Sequence, residues 1–141
     1  VVRLEARPST PDGVGAIDVG RLVRTALRLR PDRIIIGEVR GDEAWDMVQA
    51  LNTGHSGCLT TVHANSPVDA LRRITSLAAN SVPNTAYEFV AEQVGAAVDV
   101  VVHVGRGVDG ARRILDVVEI VHNSTVGAGL RPLLTGTTGH S

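Results

Sequence analysis

Residues 33–39 read RIIIGEV, an apolar run in which three isoleucines stand together. β-Branched side chains favour extended backbone, and a run that is apolar at successive positions suits a strand covered on both faces. Such strands belong to parallel sheets that carry helices on both sides. The stretch therefore predicts a buried parallel strand, with Gly37 and Glu38 at its carboxyl end.

Helical and extended patterns alternate on either side of this run. We predict helices at about residues 18–30, 42–53, 66–79 and 84–96, and strands at residues 1–7, 33–39, 58–62, 98–104 and 112–121. This alternation predicts an α/β domain with a mostly parallel sheet, flanking helices and a C-terminal antiparallel hairpin. Residues 8–17 are predicted to form a loop. After His122 the sequence becomes rich in glycine and threonine, so residues 123–141 are predicted to form a flexible tail.

The composition excludes several classes of protein. All 14 basic residues are arginine, so the chain has no lysine for a complete P-loop or for Schiff-base chemistry. Only three aromatic residues and a net charge of −1 argue against nucleic-acid binding. Uninterrupted apolar runs never exceed three residues, so no membrane span is expected. The single cysteine excludes an internal disulfide and fits a reducing compartment.

Polar residues follow two strands that we expect to lie in one sheet. Ligands of parallel α/β sheets gather at the carboxyl ends of the strands. After residues 33–36, Gly37 leaves room for close approach of a ligand, and Glu38 supplies a carboxylate. An acid at this place is the arrangement of a Walker B site, where it holds Mg²⁺, directly or through water, or orients the attacking water. The alternative is a strand-end acid in a salt bridge with Arg40.

Two histidines flank the strand predicted at residues 58–62. Residues 53–67 read TGHSGCLTTVHANSP, with His55 before the strand and His63 after it. We interpret them as groups that meet a phosphate, and structural histidines are the alternative. A zinc site formed by His55, His63 and Glu38 is a third possibility, although no metal-ligand spacing supports it.

The two motifs together resemble the secretion-superfamily ATPases of type II and type IV systems, in particular CpaF-like tight-adherence pilus assembly ATPases. The resemblance is carried by RPDRIIIGEVRG at residues 30–41 and by the segment at residues 53–67, and it extends over residues 1–122. It implies a RecA-like P-loop NTPase fold, hexameric rings and ATP hydrolysis that drives pilus biogenesis or protein export.

The resemblance also implies roles for single residues. Glu38 matches the Walker B glutamate, which acts with Mg²⁺, and His63 matches a catalytic histidine near the γ-phosphate. Arg3 and Arg7 match a segment that follows the family's acidic catalytic box. Four further residues match positions expected at the nucleotide: Gly37, Arg40, His55 and Thr60.

The implied cofactors are ATP and Mg²⁺. The implied partners are five further copies in a homo-hexamer and inner-membrane secretion or pilus platform proteins, at the cytoplasmic face of that membrane. The family's Walker A loop and acidic box precede the matched segment, and neither is found here. We therefore expect residues 1–122 to be the C-terminal part of a motor domain that lacks its N-terminal strands, without ATP turnover by this chain alone. The alternative is a non-catalytic ring-assembly or regulatory subunit.

Overall fold

The computed structural model describes residues 1–12, 15–55, 57–107, 109–123 and 127–135. In chain order, these residues form α1 (Val19–Arg28), β1 (Ile35–Ile36), α2 (Glu43–Asn52), β2 (Leu59–Thr60), α3 (Pro67–Asn80), α4 (Tyr87–Ala97), β3 (Val100–Arg106), β4 (Arg112–Asn123) and β5 (Gly127–Thr135). The architecture is a mixed α/β fold with one parallel and one antiparallel sheet, as the alternation of patterns predicts.

The strands β1 and β2 lie side by side and run parallel, with Ile35 opposite Leu59. Backbone hydrogen bonds continue the pairing on both sides. The Leu59 N–H donates to the Ile34 carbonyl at 3.0 Å, and the Val39 N–H donates to the Thr61 carbonyl at 3.0 Å. The two predicted strands are therefore neighbours, although their regular part is shorter than predicted.

Only one face of β1 is covered. Ile34 and Ile36 are buried, whereas Ile35 and its neighbour Leu59 on β2 are exposed. The expectation of cover on both faces is wrong for the described residues, because the helices pack on the Ile36 side and no described element covers the Ile35 side.

The hydrophobic core is centred on α2, which contacts the other three helices. Side chains from all four helices, from β1 and from the residues beside it form one buried cluster: Val23, Ile34, Ile36, Val39, Ala44, Met47, Val48, Ile74, Ala78, Val90, Val94 and Ala97. This cluster fixes α2 and α3 against β1, and so it fixes the loops that follow β1 and β2.

Capping groups set where the helices begin. The Asp18 carboxylate accepts the Arg21 N–H at 2.6 Å and caps the start of α1. The Ser66 hydroxyl accepts the Asp69 N–H at 3.1 Å and begins α3. The helix α4 begins at Tyr87, three residues later than predicted, because residues 83–84 form a turn and residue 85 a bend instead. Among the described residues, no helix combines the length and apolarity that crossing a membrane requires.

The strand predicted at residues 1–7 is wrong. Only Arg7 pairs, in an isolated antiparallel bridge with Ile17 that has two N–H···O bonds of 2.9 Å. Val1 and Val2 are exposed, so among the described residues this segment finds no surface on which to bury apolar side chains and no neighbouring strand to extend the bridge.

The antiparallel sheet has the strand order β3-β4-β5. The predicted hairpin of β3 and β4 is confirmed, and it places His103 opposite Asp116 with the ring Nδ1 3.0 Å from the carboxylate Oδ2. Sequence reasoning gave His103 no functional role, and this cross-strand contact agrees with a structural one.

A third strand follows where a tail is expected. Residues 127–135 form β5, which pairs antiparallel with β4 and sets Leu130 opposite Ile120. The predicted tail is therefore wrong for these residues, because the free edge of β4 supplies backbone hydrogen-bond partners that no local pattern reveals. Residues 124–126 and 136–141 of the predicted tail lie outside the described residues.

A cavity of about 610 Å³ separates β2 from β3. Its lining is mostly apolar and includes Met47, Leu59, Val100 and Val102. In the described part of the chain, β2 and β3 are each paired on one side only, so both present a free backbone edge.

Candidate functional site

Glu38 lies two residues beyond β1, and the side chains of Arg40 and His63 contact its carboxylate. The Arg40 Nη2 atom lies 2.5 Å from Oε2, and the His63 Nε2 atom lies 3.1 Å from Oε1. The Glu38 side chain is only 20% exposed, whereas those of Arg40 and His63 are 72% and 81% exposed. The structure thus brings together the acid that follows β1 and the histidine that follows β2.

Thr61 holds the backbone on both sides of Glu38. Its hydroxyl donates to the Gly37 carbonyl at 2.7 Å, and its carbonyl accepts the Val39 N–H at 3.0 Å. The backbone around the acid is therefore held by Thr61, two residues before His63.

Glu43 holds the loop that carries Arg40. Its Oε1 atom accepts the backbone N–H groups of Arg40 at 2.6 Å and Gly41 at 3.0 Å. Glu43 is the first residue of α2, where a carboxylate also meets the positive end of the helix. The direction of the chain after Glu38 is thus set by a local capping contact.

The Arg40 guanidinium, which donates a hydrogen bond to the Glu38 carboxylate, holds the pKa of that carboxyl below its ordinary value against an opposing effect of burial. The positive charges of Arg40 and Arg73 act in the same direction as this hydrogen bond, and so does His63 when it is protonated. Glu38 is therefore ionised at neutral pH and acts as a hydrogen-bond acceptor.

Replacing Arg40 with glutamine should raise the pKa of Glu38, because the largest cause of its depression is lost. A depressed carboxyl pKa stabilises the fold above the unfolded-state pKa, and this contribution is lost as the pH falls through the folded-state pKa. The Arg40→Gln variant should therefore lose that contribution. A ¹³C NMR titration of the Glu38 carboxyl measures the shift.

The matched control for this titration is Arg72→Gln, which removes an exposed arginine paired with Asp69 instead. Glu38 should titrate in the control as in the parent chain. Equal titration midpoints in the two variants would show that Arg40 is not the group that holds Glu38 ionised.

The other predicted site residues lie differently. Gly37 faces open space, since a Cβ atom placed there would meet nothing within 4 Å. The Thr60 hydroxyl reaches only the Thr61 carbonyl, at 3.4 Å. In the described part of the chain, His55 and Thr60 make no hydrogen bond or ion pair with Glu38.

His55 follows the end of α2, where its N–H donates to the Ala50 carbonyl at 3.3 Å. Gly54 precedes it with φ +96°, the left-handed conformation that ends helices. The His55 Nδ1 atom is buried and has no hydrogen-bond partner among the residues that the structure describes.

Of the two N-terminal candidates, Arg7 donates from Nε to the Gly15 carbonyl at 3.0 Å, and Arg3 is exposed.

A second, polar cavity of about 440 Å³ opens beside His63. It is lined by His63, Ala64, Asn65, Asp69 and Arg73. Sequence reasoning missed Arg73 and Thr61. The spacing of Asp69 and Arg73 by four residues on a capped helix indicates a shared face, but it does not show which side chains that face meets.

The zinc alternative does not fit this geometry. Within the described ranges, no three side chains of histidine, cysteine, aspartate or glutamate are grouped to hold a metal ion, and His55, His63 and Glu38 are no exception. Mg²⁺ needs fewer protein ligands than zinc, because it is commonly held through one or two carboxylates together with its waters and substrate phosphates. Glu38 fits that role through water, since each of its oxygens keeps acceptor capacity beyond its contact with Arg40 or His63.

The fold and the site define an α/β protein with a strand-end carboxylate that meets a histidine from the neighbouring parallel strand. The chain belongs to the type II/IV secretion system protein family, whose model matches residues 2–126.

Three proteins of known name are similar to this chain. A Mycobacterium tuberculosis (strain H37Rv) protein named for conjugal transfer is 45% identical over 83% of this chain. The conjugal transfer protein TrbB of Rhizobium radiobacter is 42% identical over 74% of the chain. The solved VirB11 ATPase of the Brucella suis type IV secretion system is 35% identical over 72% of the chain, with a TM-score of 0.68. The chain spans only 33%, 31% and 31% of these proteins, respectively.

Proposed function

We propose that this chain is the part of a secretion motor that supplies the Walker B glutamate and the histidine box for ATP hydrolysis. The observation that carries the proposal is the contact of Glu38 with His63 beyond the carboxyl ends of two paired parallel strands. Two facts about the VirB11 relative from Brucella suis support it: it is named an ATPase, and it was solved in complex with sulphate, an anion shaped like phosphate.

In this proposal Glu38 is the acceptor for the attacking water. It orients the water by a hydrogen bond and takes its proton as the water oxygen bonds to the γ-phosphorus and the bond to the bridging oxygen breaks. His63 and Arg40 donate hydrogen bonds to phosphate oxygens, which their exposed side chains can reach. Bound Mg²⁺ would neutralise charge on the phosphates, with Glu38 as its ligand through water.

We further propose a RecA-like fold in which this chain is the C-terminal part of the motor domain. The chain spans about a third of its relatives, and the free edges of β2 and β3 face a cavity that further strands of the same domain could fill. The pairing of β5 with β4 adds residues 127–135 to the proposed ordered part.

The complete protein would work as a homo-hexamer with platform proteins at the cytoplasmic face of the inner membrane, in pilus assembly or protein export. The motifs at residues 30–41 and 53–67 favour a CpaF-like pilus assembly motor. The names of the relatives mention conjugal transfer and type IV secretion, and these two roles are the alternatives to pilus assembly within the same proposal.

The 141-residue chain should bind Mg-ATP negligibly, whereas the complete protein should bind and hydrolyse it. The reason is that the chain has no lysine, so it cannot form the P-loop that cradles the β- and γ-phosphates. Isothermal titration calorimetry of Mg-ATP into each protein measures the difference.

A clear binding isotherm from the 141-residue chain would contradict this expectation. A complete protein that binds no ATP and has no phosphate release would instead favour the non-catalytic ring-assembly or regulatory subunit. Elemental analysis for zinc on the same samples tests the zinc alternative, which the described residues do not support.

A further inference from the structure

Arg73 stands out among the cations around Glu38. It lies on α3 (Pro67–Asn80) and lines the polar cavity of about 440 Å³ that His63 also lines. Every other ionic side chain that borders this region has a partner, whereas within the ranges that the structure describes the Arg73 guanidinium has no ion pair and no hydrogen bond. An exposed arginine offers five donors, and its charge is permanent.

The rotation of α3 places Arg73 at this cavity. Ala70, Ile74 and Ala78 are buried at a spacing of four residues and so fix which side of the helix faces the core. Arg73 stands next to this buried stripe and one turn beyond Asp69, which lines the same cavity. The core therefore holds the helix face that carries Arg73, and no loop is involved.

The carboxylates near Arg73 are already engaged. Asp69 accepts the Ser66 hydroxyl at 2.9 Å and has Arg72 at 3.8 Å. Glu38 is bound by Arg40 and His63. The positive charge of Arg73 nevertheless acts on Glu38 and helps to lower the pKa of that carboxyl, so Arg73 is close enough for its field to reach the site.

We propose that Arg73 binds the terminal phosphate of the nucleotide, which lies in the cavity between its guanidinium and the His63 imidazole. This inference rests on the proposed function and names a phosphate-binding residue in addition to those inferred from sequence. A guanidinium matches a phosphate because two parallel N–H groups can donate to two of its oxygens. The cavity volume falls within the range of small-ligand sites.

The test compares Arg73→Gln with Arg72→Gln in the complete protein, with Mg-ATP and Mg-ADP as probes. The two changes are identical in chemistry and adjacent on one helix, and Arg72 does not line the cavity. Arg73→Gln should weaken Mg-ATP binding by about 10- to 100-fold, the effect of losing a hydrogen bond to a charged group. Mg-ADP binding, which lacks the terminal phosphate, should change by less than about threefold, and Arg72→Gln should change neither.

The conservative variant Arg73→Lys tests the geometry, since this change keeps the charge and loses the paired donors. It should bind Mg-ATP more weakly than the parent protein and more tightly than Arg73→Gln. If Arg73→Gln is poorly folded, Arg73→Lys takes its place in the comparison. Arg73→Lys should then bind Mg-ATP more weakly than Arg72→Gln.

Equal Mg-ATP affinities for the Arg73→Gln and Arg72→Gln variants would overturn the inference. So would an equal loss of Mg-ATP and Mg-ADP binding in Arg73→Gln, because the terminal phosphate would then not be the group that is bound. Failure of the proposed function is a different result: Glu38→Gln would hydrolyse ATP at the parent rate.

Discussion

Glu38→Gln in the complete protein should lower the rate of ATP hydrolysis by at least about 100-fold while nucleotide binding persists. Glutamine has nearly the shape of glutamate but carries no charge and accepts no proton at neutral pH. Arg40 and His63 contact the mostly buried Glu38 carboxylate, and the substitution removes that carboxylate. Phosphate release under saturating Mg-ATP measures the rate, and calorimetry measures the binding.

The matched control is Glu92→Gln, the same chemical change at an exposed position on α4 outside the site. Its hydrolysis rate should stay within about twofold of the parent, as is usual for a surface substitution. If Glu38→Gln also hydrolyses ATP at that rate, Glu38 is not the catalytic carboxylate and the proposed mechanism fails.

Local signals in the sequence predicted the helices well. The helix predicted at residues 66–79 begins where Ser66 caps it, with Pro67 in its first turn, and the helix predicted at residues 42–53 ends before Gly54, which takes the left-handed conformation. Such contacts span three or four residues, so a single sequence contains all the groups involved.

Contacts between distant segments were predicted less well. The strand β5 depends on a free edge of β4, and the failure of residues 1–7 to form a strand depends on the lack of a described neighbour. The exposure of Ile35 likewise depends on what covers its side of the sheet. None of these is a property of the segment itself.

The candidate site contains residues that the sequence predicted and residues that it did not. The rule that ligands gather beyond the carboxyl ends of parallel strands predicted Glu38 and His63 at the same end of the sheet, and in the structure His63 Nε2 lies 3.1 Å from Glu38 Oε1. The salt bridge with Arg40, weighed as an alternative to a catalytic role, is present, and the catalytic role stays a prediction. Arg73 and Thr61 escaped prediction because their placement depends on the rotation of α3 and on strand register.

Met47→Ala should destabilise the 141-residue chain by about 2–5 kcal/mol, the cost of a large-to-small substitution in a packed core. Met47 is 1% exposed at the centre of α2, the helix that contacts α1, α3 and α4. It also lines the cavity beside β2, so fewer neighbouring atoms are available to refill the space that its side chain leaves. Because domains are stable by only about 5–15 kcal/mol, urea unfolding followed by circular dichroism should show a large shift of the midpoint.

Leu29→Ala is the matched control, since it deletes a side chain of similar size that is 56% exposed at the end of α1. It should change the free energy of unfolding by no more than about 0.5 kcal/mol. Met47→Leu should cost less than about 1.5 kcal/mol, because it nearly conserves volume. If Met47→Ala and Leu29→Ala unfold at the same urea concentration, the buried Met47 side chain does not stabilise the core formed around α2.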